Sequence, residues 1–481
     1  GRSPARSCTR ERAPFAFTAG RVRLTVGHST LGGYAAALSG SIMHPGGSRT
    51  MDDRQSWITS RLQRGPKSVL TLYAVTAAFS TYFCMYAFRK PFSAAVYEGQ
   101  QLWGLHLKDA LVISQIIGYT LSKYVGIKVC SEATPRRRVV LLVSLVLAAE
   151  ASLLLFAVVP ATWRFAAIFL NGIQLGMIWG LVVAYLEGRQ TSELLLAGLS
   201  CSFIVSSGAV KGVGRSLLTT YHVSEAWMPA ATGAIFLIPY LVAVWMLKQI
   251  PPPSQADIEA RVIREPRDGV HRLAFVKPFL PGLVLLFILY FFLTAFRDLR
   301  DNFAAEVFDQ LGYGEKPAIF ATTELWVAFG VMSALAALNL IKDNRWGVAG
   351  TYGIMLVGTL MLGVGTLAFD RGLISGVTWM ILTGLGTYLM YVPYGSVLFD
   401  RLIASTHVAG TAVFAIYVAD ALGYTGSIGV LFYKNYAYSD QSWLAFMRGF
   451  SYAMSGLGVV CLASSFLYFW FRHMRGARTE R

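Results

Sequence analysis

Twelve stretches of mostly apolar residues, each about long enough to cross a bilayer as a helix, leave this chain little choice of fold. They run at approximately 68–96, 108–128, 139–160, 163–187, 193–218, 227–248, 278–302, 316–341, 346–368, 373–399, 407–433 and 446–472. Inside hydrocarbon every backbone polar group must be satisfied by the chain itself, and a helix does this segment by segment. Composition agrees. Hydrophobic residues make up 55% of the chain and charged residues 14%, against roughly a quarter charged in soluble domains. The expected fold class is an all-α membrane protein of twelve transmembrane helices, with the lipid bilayer as its first partner.

The longest polar break runs from Lys248 to Lys277 and contains Pro251-Pro252-Pro253 and, counting both ends, ten charged residues. It separates six spans from six. The expected domains are an N-terminal six-helix bundle over 51–248, a cytoplasmic linker over 249–277, and a C-terminal bundle with a short basic tail over 278–481. Residues 1–50 are rich in Arg, Ser and Gly, have Glu11 as their only acid, and are followed by Met51-Asp52-Asp53, which reads as a natural start. This leader is expected to be a disordered or mis-called extension; an organelle transit peptide has a similar composition. Lys and Arg number 22 on the side holding Met51, the Arg136-Arg137-Arg138 loop, the linker and the tail, against six in the opposite loops. That bias places both termini in the cytoplasm.

The net charge of +16 follows mostly from this loop asymmetry, so nucleic acid is not an expected partner. The five cysteines show no Cys-x-x-Cys spacing, which supports neither a disulfide framework nor a zinc site. No cofactor or metal is expected. Neither His-Glu-x-x-His nor Gly-x-Ser-x-Gly occurs, and these absences argue against an intramembrane enzyme. The expectation is a monomeric multi-pass protein of a plasma membrane, such as the bacterial inner membrane.

Six plus six spans about a long linker is the layout of major facilitator transporters, whose halves are parallel repeats with a site between them. An internal repeat fits that layout. Tyr82-Phe83-x-x-x-Ala87-Phe88-Arg89 in span 1 matches Tyr290-Phe291-x-x-x-Ala295-Phe296-Arg297 in span 7 at five of eight positions. By pseudo-symmetry the two arginines would face each other across a cleft.

Charge inside an apolar span is costly and marks a functional site by default. Tyr82, Tyr86 and Arg89 stand at i, i+4 and i+7, one helical face. The plainer alternative is that Arg89 and Lys90 snorkel to the outer surface. Lys90 points about 100° away from Arg89 on a helix of 3.6 residues per turn and ranks below it. In span 7, Arg297, Arg300, Asp301 and Ala304 share a face, either as a binding arginine with an ion-pair partner or as an exposed cluster ending the helix. The repeat favours Arg297 over Arg300 as the second anion ligand. Glu324 in span 8 and Asp420 in span 11 would be expensive unless protonated or paired. Each is expected either to couple to transport or to form a structural salt bridge, with Glu324 a possible counter-ion for Arg89.

Span 5 carries Lys211 and Arg215 after the small-residue run Ser206-Ser207-Gly208-Ala209, which permits close helix packing. Lys211 is expected to face the cleft and Arg215 to reach the outer surface. Tyr388, Tyr391, Tyr394, Trp179 and Gln174 are weaker candidates. Set together, the intramembrane cations Arg89, Lys90, Lys123, Lys211, Arg215, Arg297 and Arg300 outnumber the acids Glu324, Asp420 and Asp301. A cleft with that surplus would hold a small anionic substrate.

These residues resemble the organophosphate:phosphate antiporters of the major facilitator superfamily, from about Tyr73 to Phe446 but strongly only in patches. The family's first-span pattern Tyr-x-x-x-Tyr-x-x-Arg-Lys falls on Tyr82, Tyr86, Arg89 and Lys90. Its second-span motif is met by Tyr119, Ser122, Lys123 and Tyr124, running into Ser131-Glu132 and Pro135-Arg136. Its span 8 acid falls on Glu324 and its span 10 Tyr-x-Pro on Tyr391-Val392-Pro393. In span 11 it is met by Ala409-Gly410-Thr411-Ala412 and Gly423-Tyr424-Thr425-Gly426. The resemblance implies that Arg89 and Arg297 grip the substrate phosphate, with Asp301 downstream at a spacing one residue short, which keeps Arg300 open. The span 5 histidine of the family is missing, Lys211 standing in that span instead, and Asp420 has no counterpart. The implied function is secondary transport of a small organic anion, a phosphorylated metabolite exchanged for phosphate, by rocking of the two halves. A transporter-fold sensor of such an anion and a proton-coupled carboxylate carrier are the alternatives.

Overall fold

The structure is a computed structural model that describes residues 56–474 apart from 187–188, 190, 256, 258–278, 342, 400 and 403–411. The leader, most of the linker and the Ala409-Gly410-Thr411 part of the span 11 motif lie outside the described residues. Twelve long helices are present among those described: α1 (Lys67–Met85), α2 (Leu107–Glu132), α3 (Pro135–Val158), α4 (Arg164–Leu175, resuming as Ile178–Val183), α5 (Ser192–Thr219), α6 (Met228–Lys248), α7 (Leu280–Asn302), α8 (Ala318–Asn339), α9 (Asn344–Asp370), α10 (Gly376–Pro393), α11 (Ala412–Ala437) and α12 (Trp443–Phe469). A short helix, Trp57–Arg64, precedes α1 and another, Ala304–Gln310, follows α7. Asp343, Ser375 and Ser442 cap α9, α10 and α12 by accepting hydrogen bonds from backbone N–H groups of the first turn, satisfying donors that a helix start otherwise leaves open.

Eight of these helices are long and apolar enough, over the described residues, to cross a membrane by length and composition. The polar groups that α2, α5 and α11 carry are paired with other helices, Lys123 with Asp420 and Lys211 with Asp301. The outer surface is apolar instead, with Val69, Ile238, Phe329, Val364 and Val460 all more than half exposed. Such a surface would aggregate in water and suits hydrocarbon.

Each half packs within itself, α1 against α5 and α6, α2 and α3 against α4, α7 against α11 and α12, α9 against α10 and α12. Two helix pairs then join the halves, α5 with α8 and α2 with α11. Small residues permit the closest approaches. A Cβ on Gly118 of α2 would fall 2.2 Å from the Phe169 carbonyl oxygen of α4, and one on Gly208 of α5 2.3 Å from that of Phe320 in α8. Both obstacles are backbone and cannot rotate away. Gly118→Val should therefore force α2 off α4, lowering the thermal unfolding midpoint and the detergent-stable yield sharply, while Gly353→Val, where nothing lies within 4 Å, should leave both unchanged.

Two spans depart from simple helices where the site forms. Span 1 tightens to a 3-10 turn over Tyr86–Phe88 and another over Pro91–Ala94, because Pro91 has no N–H to continue the α ladder. Span 10 widens into a π turn over Tyr394–Leu398 directly after Pro393, a distortion common at functional positions.

Candidate functional site

The span 1 turn aims Arg89 inward, not at the surface. Proline leaves carbonyls upstream without helical donors, and amides from neighbouring helices supply them. Asn171 Nδ2 of α4 donates to the Phe88 carbonyl at 2.9 Å. Gln115 Nε2 of α2 donates to the Arg89 carbonyl at 2.9 Å and to Asn171 Oδ1 at 3.0 Å. The turn is thus held by two buried amides that reading the sequence for charges passed over; a lone Gln and a lone Asn inside apolar spans were the available signal.

Arg89 itself is 8% exposed. Its guanidinium lies 4.0 Å above the Tyr119 ring and 5.6 Å from that of Tyr86. No carboxylate pairs with it among the described residues, and its Nε has no hydrogen-bond partner. Tyr82 contacts the Tyr86 ring at 5.5 Å and Trp179 at 5.0 Å, so the expected face of Tyr82, Tyr86 and Arg89 forms. Snorkelling of Arg89 and Lys90 to the surface does not occur.

From the other half, Arg297 of α7 stacks 4.1 Å over Tyr391 of α10 and pairs with its neighbour Asp298 at 2.6 Å. Asp298 also accepts from Ser427 Oγ of α11 at 2.7 Å. Tyr391 stacks on Tyr290 at 5.4 Å. Tyr119 of α2 meets Tyr424 of α11 across the halves at 5.7 Å, and Tyr86 and Tyr424 each lie within electrostatic reach of both Arg89 and Arg297. Arg89 and Arg297 therefore border one tyrosine-lined region between the halves. Below it, Lys123 Nζ pairs with Asp420 at 2.7 Å, and Tyr290 donates to the other oxygen at 2.8 Å.

At the end of the bundle away from the linker, ion pairs tie the halves together. Asp301 accepts from Lys90 at 2.6 Å and from Lys211 at 2.7 Å, with the Ser207 hydroxyl also donating to it. Lys90 donates further to Asn302 Oδ1 at 2.8 Å. Lys108 pairs with Glu306 at 2.6 Å and Arg215 with Asp309 at 2.8 Å. Burial pushes the Glu306 carboxyl up, and the Lys108 ammonium draws it back down.

Several expectations change. The Arg-Asp-x-Arg-Asp run of α7 is no exposed cluster, since its four charged side chains are between 4% and 13% exposed. Its members also diverge. Arg300 turns into the C-terminal half, pairing with Glu324 at 2.8 Å and donating to the Met380 carbonyl at 2.9 Å. Glu324 is thus the counter-ion of Arg300 and not of Arg89. Asp301 serves Lys90 and Lys211, so Lys90, ranked low from helical geometry, holds a place in the seam because the helix has already given way to a tighter turn. Lys211 is 2% exposed and bound to Asp301, not open in a cleft, and Arg215 spans to Asp309, not out to the surface. The surplus of cations shrinks accordingly: Asp298 and Asp309, uncounted before, and the pairs above leave Arg89 as the cation without an acid among the seven.

A family model described as a family of unknown function, DUF5690, matches residues 91–472. The chain belongs to that family. No curated protein matches. Among solved structures, a D-xylose-proton symporter is similar over 84% of this chain and 98% of that one, at 15% identity and a TM-score of 0.56. The nucleoside transporter NupG is similar over 84% of this chain and 100% of its own, at 14% identity and 0.53, and a mutant of it over 83% and 100%, at 14% and 0.54. These identities carry the fold. This DUF5690 member is a multi-pass membrane protein with the major facilitator fold, and none of the three structures is an organophosphate:phosphate antiporter.

Proposed function

We propose that this protein is a secondary active transporter of a small organic anion, working by alternating access between its two halves. The observation that carries the reading is Arg89, a buried guanidinium with no carboxylate beside it among the described residues, set among tyrosines at the junction of the halves. A buried uncompensated charge is expensive, and a fork of five donors matches a carboxylate or phosphate. Arg297 supplies the second contact once its hold on Asp298 loosens. Binding offsets the repulsion of the two arginines and favours closure around the anion, after which rocking of the halves exposes it on the other side.

The finer reading, a phosphorylated metabolite exchanged for phosphate, is supported by the motif resemblance and the paired arginines. The hydroxyls and rings of Tyr82, Tyr86, Tyr119, Tyr290, Tyr391 and Tyr424 suit a hydroxylated body, and the similar structures are those of a sugar symporter and a nucleoside transporter. We assign the bundles to 51–248 and 278–481 on the polar break between them, both termini to the cytoplasm on the loop charges, and the protein to a plasma membrane as a monomer. The functional test is uptake into proteoliposomes of sugar phosphates, glycerol phosphates and dicarboxylates, with and without internal phosphate. Uptake of one class that Arg89→Gln abolishes is the expected result; ligand binding without flux would make the protein a sensor, and binding of none would end the anion reading.

A further inference from the structure

One buried acid takes no part in the network above. Glu150 lies in the middle of α3, 9% exposed, and its Oε2 has no hydrogen-bond partner. Its carboxyl rests against Gly233 of α6, where an added Cβ would stand 2.0 Å from Oε2 and 3.1 Å from the Phe88 ring. Among the described residues its surroundings are uncharged. Its own helix offers Val146, Leu147, Leu153 and Leu154 one turn away. From α4 come the amides of Asn171 and Gln174, the latter accepting from Ser152 at 2.9 Å. From α6 come Gly233 and, two turns off, the Tyr240 hydroxyl, which donates to the Leu142 carbonyl. From the 86–88 turn comes Phe88. No charged side chain acts on Glu150 from any of these elements. The other acids buried in the spans, Asp109, Asp298, Asp301, Glu324 and Asp420, each have a cation beside them among the described residues.

An ionised carboxylate in such a place carries a large desolvation cost with nothing to offset it, whereas the neutral acid is tolerated. The position also touches the site. Asn171 Nδ2, which holds the Phe88 carbonyl, reaches the Ala149 carbonyl at 3.4 Å, one residue before Glu150, and Phe88 precedes Arg89 in the chain. Movement of the 86–89 turn would therefore change what the carboxyl rests on.

We propose that Glu150 is a proton-binding site, occupied in this conformation, which releases its proton to water when the 86–89 turn shifts and so couples protonation to the placement of Arg89. The proton site stands by itself; that the coupling serves transport rests on the anion-transporter reading. It moves the coupling group away from Asp420 and Glu324, whose charges are already compensated.

The test uses the purified full chain in nanodiscs and needs no substrate. Infrared difference spectra at neutral pH should show the carbonyl stretch of a protonated carboxyl that Glu150→Gln removes. Proton release on unfolding means that stability falls as pH rises, so the unfolding midpoint of the wild type should drop between about pH 5 and about pH 8 more than that of Glu150→Gln. Spin labels at Trp163→Cys and Leu373→Cys, on exposed loops of the two halves at the end away from the linker, should report a pH-dependent distance that Glu150→Gln abolishes. No carboxyl band, or a band that Glu150→Gln leaves in place, overturns the proton site. A label distance whose pH response survives the substitution, or a wild type with no response, overturns the coupling. Should Glu150→Gln not fold, Glu150→Met removes the ionisable group at similar volume, and absence of the band from the wild type decides against the site alone. Failure here leaves anion uptake untouched, and failure of all anion uptake leaves the infrared band untouched.

Discussion

Arg89→Gln is expected to abolish anion binding while making the empty protein more stable. Truncating one partner of a buried, hydrogen-bonded charge pair costs about 2–5 kcal/mol, which at about 1.4 kcal/mol per decade is roughly 30-fold to a few thousand-fold in affinity. The stability change has the opposite sign. Without ligand, Arg89 is a buried cation with no acid beside it among the described residues and an unpartnered Nε, held against the faces of Tyr119 and Tyr86. Replacing it by a neutral amide removes a desolvation cost that those contacts offset only in part. Thermal unfolding without ligand and binding of the anion found in the uptake panel should therefore move in opposite directions. A functional residue that relaxes the fold when removed is the usual stability–activity trade. Arg89→Lys should keep the charge and lose most of the affinity, because a single ammonium cannot reproduce the planar fork. Normal binding in both variants would remove Arg89 from the site.

Asp301→Asn should be the most damaging single change at the seam. It leaves two ammonium groups, Lys90 and Lys211, buried together with no ion-pair partner among the described residues, and breaking a buried pair from one side costs about 3–5 kcal/mol. Asn302 and the Asp301 backbone carbonyl still accept one hydrogen bond from each lysine, so the loss falls on charge more than on hydrogen bonding. The two halves should part at the end away from the linker. Spin-label distances between Trp163→Cys and Leu373→Cys should lengthen, and the unfolding midpoint should fall. Converting Lys90 and Lys211 to Met in the same chain should restore much of the midpoint, since the uncompensated charge is then gone. If Asp301→Asn alone leaves both distance and midpoint unchanged, the bridge does not hold the halves together.

The contrast between Arg89 and Lys90 shows how far the sequence reaches. Both read as cations at the end of an apolar run, and the i, i+4, i+7 spacing from Tyr82 correctly put Arg89 on the tyrosine face. The same helical wheel set Lys90 aside, because it assumes an α-helix that in fact ends at Met85. Pro91 was in plain view, but how far upstream it would tighten the chain depends on Asn171 and Gln115, which come from other helices. Arg297 and Arg300 make the same point. One turn of helix apart, they face different partners, Asp298 with Tyr391 and Glu324 with the Met380 carbonyl, and nothing in their spacing separates them. Glu150 was counted only as part of an apolar run. A single acid there carries no partner in the sequence, and its isolation becomes visible only when every helix around it is in place.

By itself the sequence determined the number of long helices, the repeat that relates span 1 to span 7, and the presence of charge where hydrocarbon makes charge expensive. These are local properties: hydropathy over about 20 residues, the hydrogen bonds of one helix, the transfer cost of one side chain. Tertiary structure alone decided which charges cancel. An ion pair depends on two atoms meeting within a few ångströms, and here the partners lie as far apart in the chain as Lys123 and Asp420 or Lys90 and Asp301. Only the packed bundle, by pairing the other six of the seven candidate intramembrane cations, singled out Arg89.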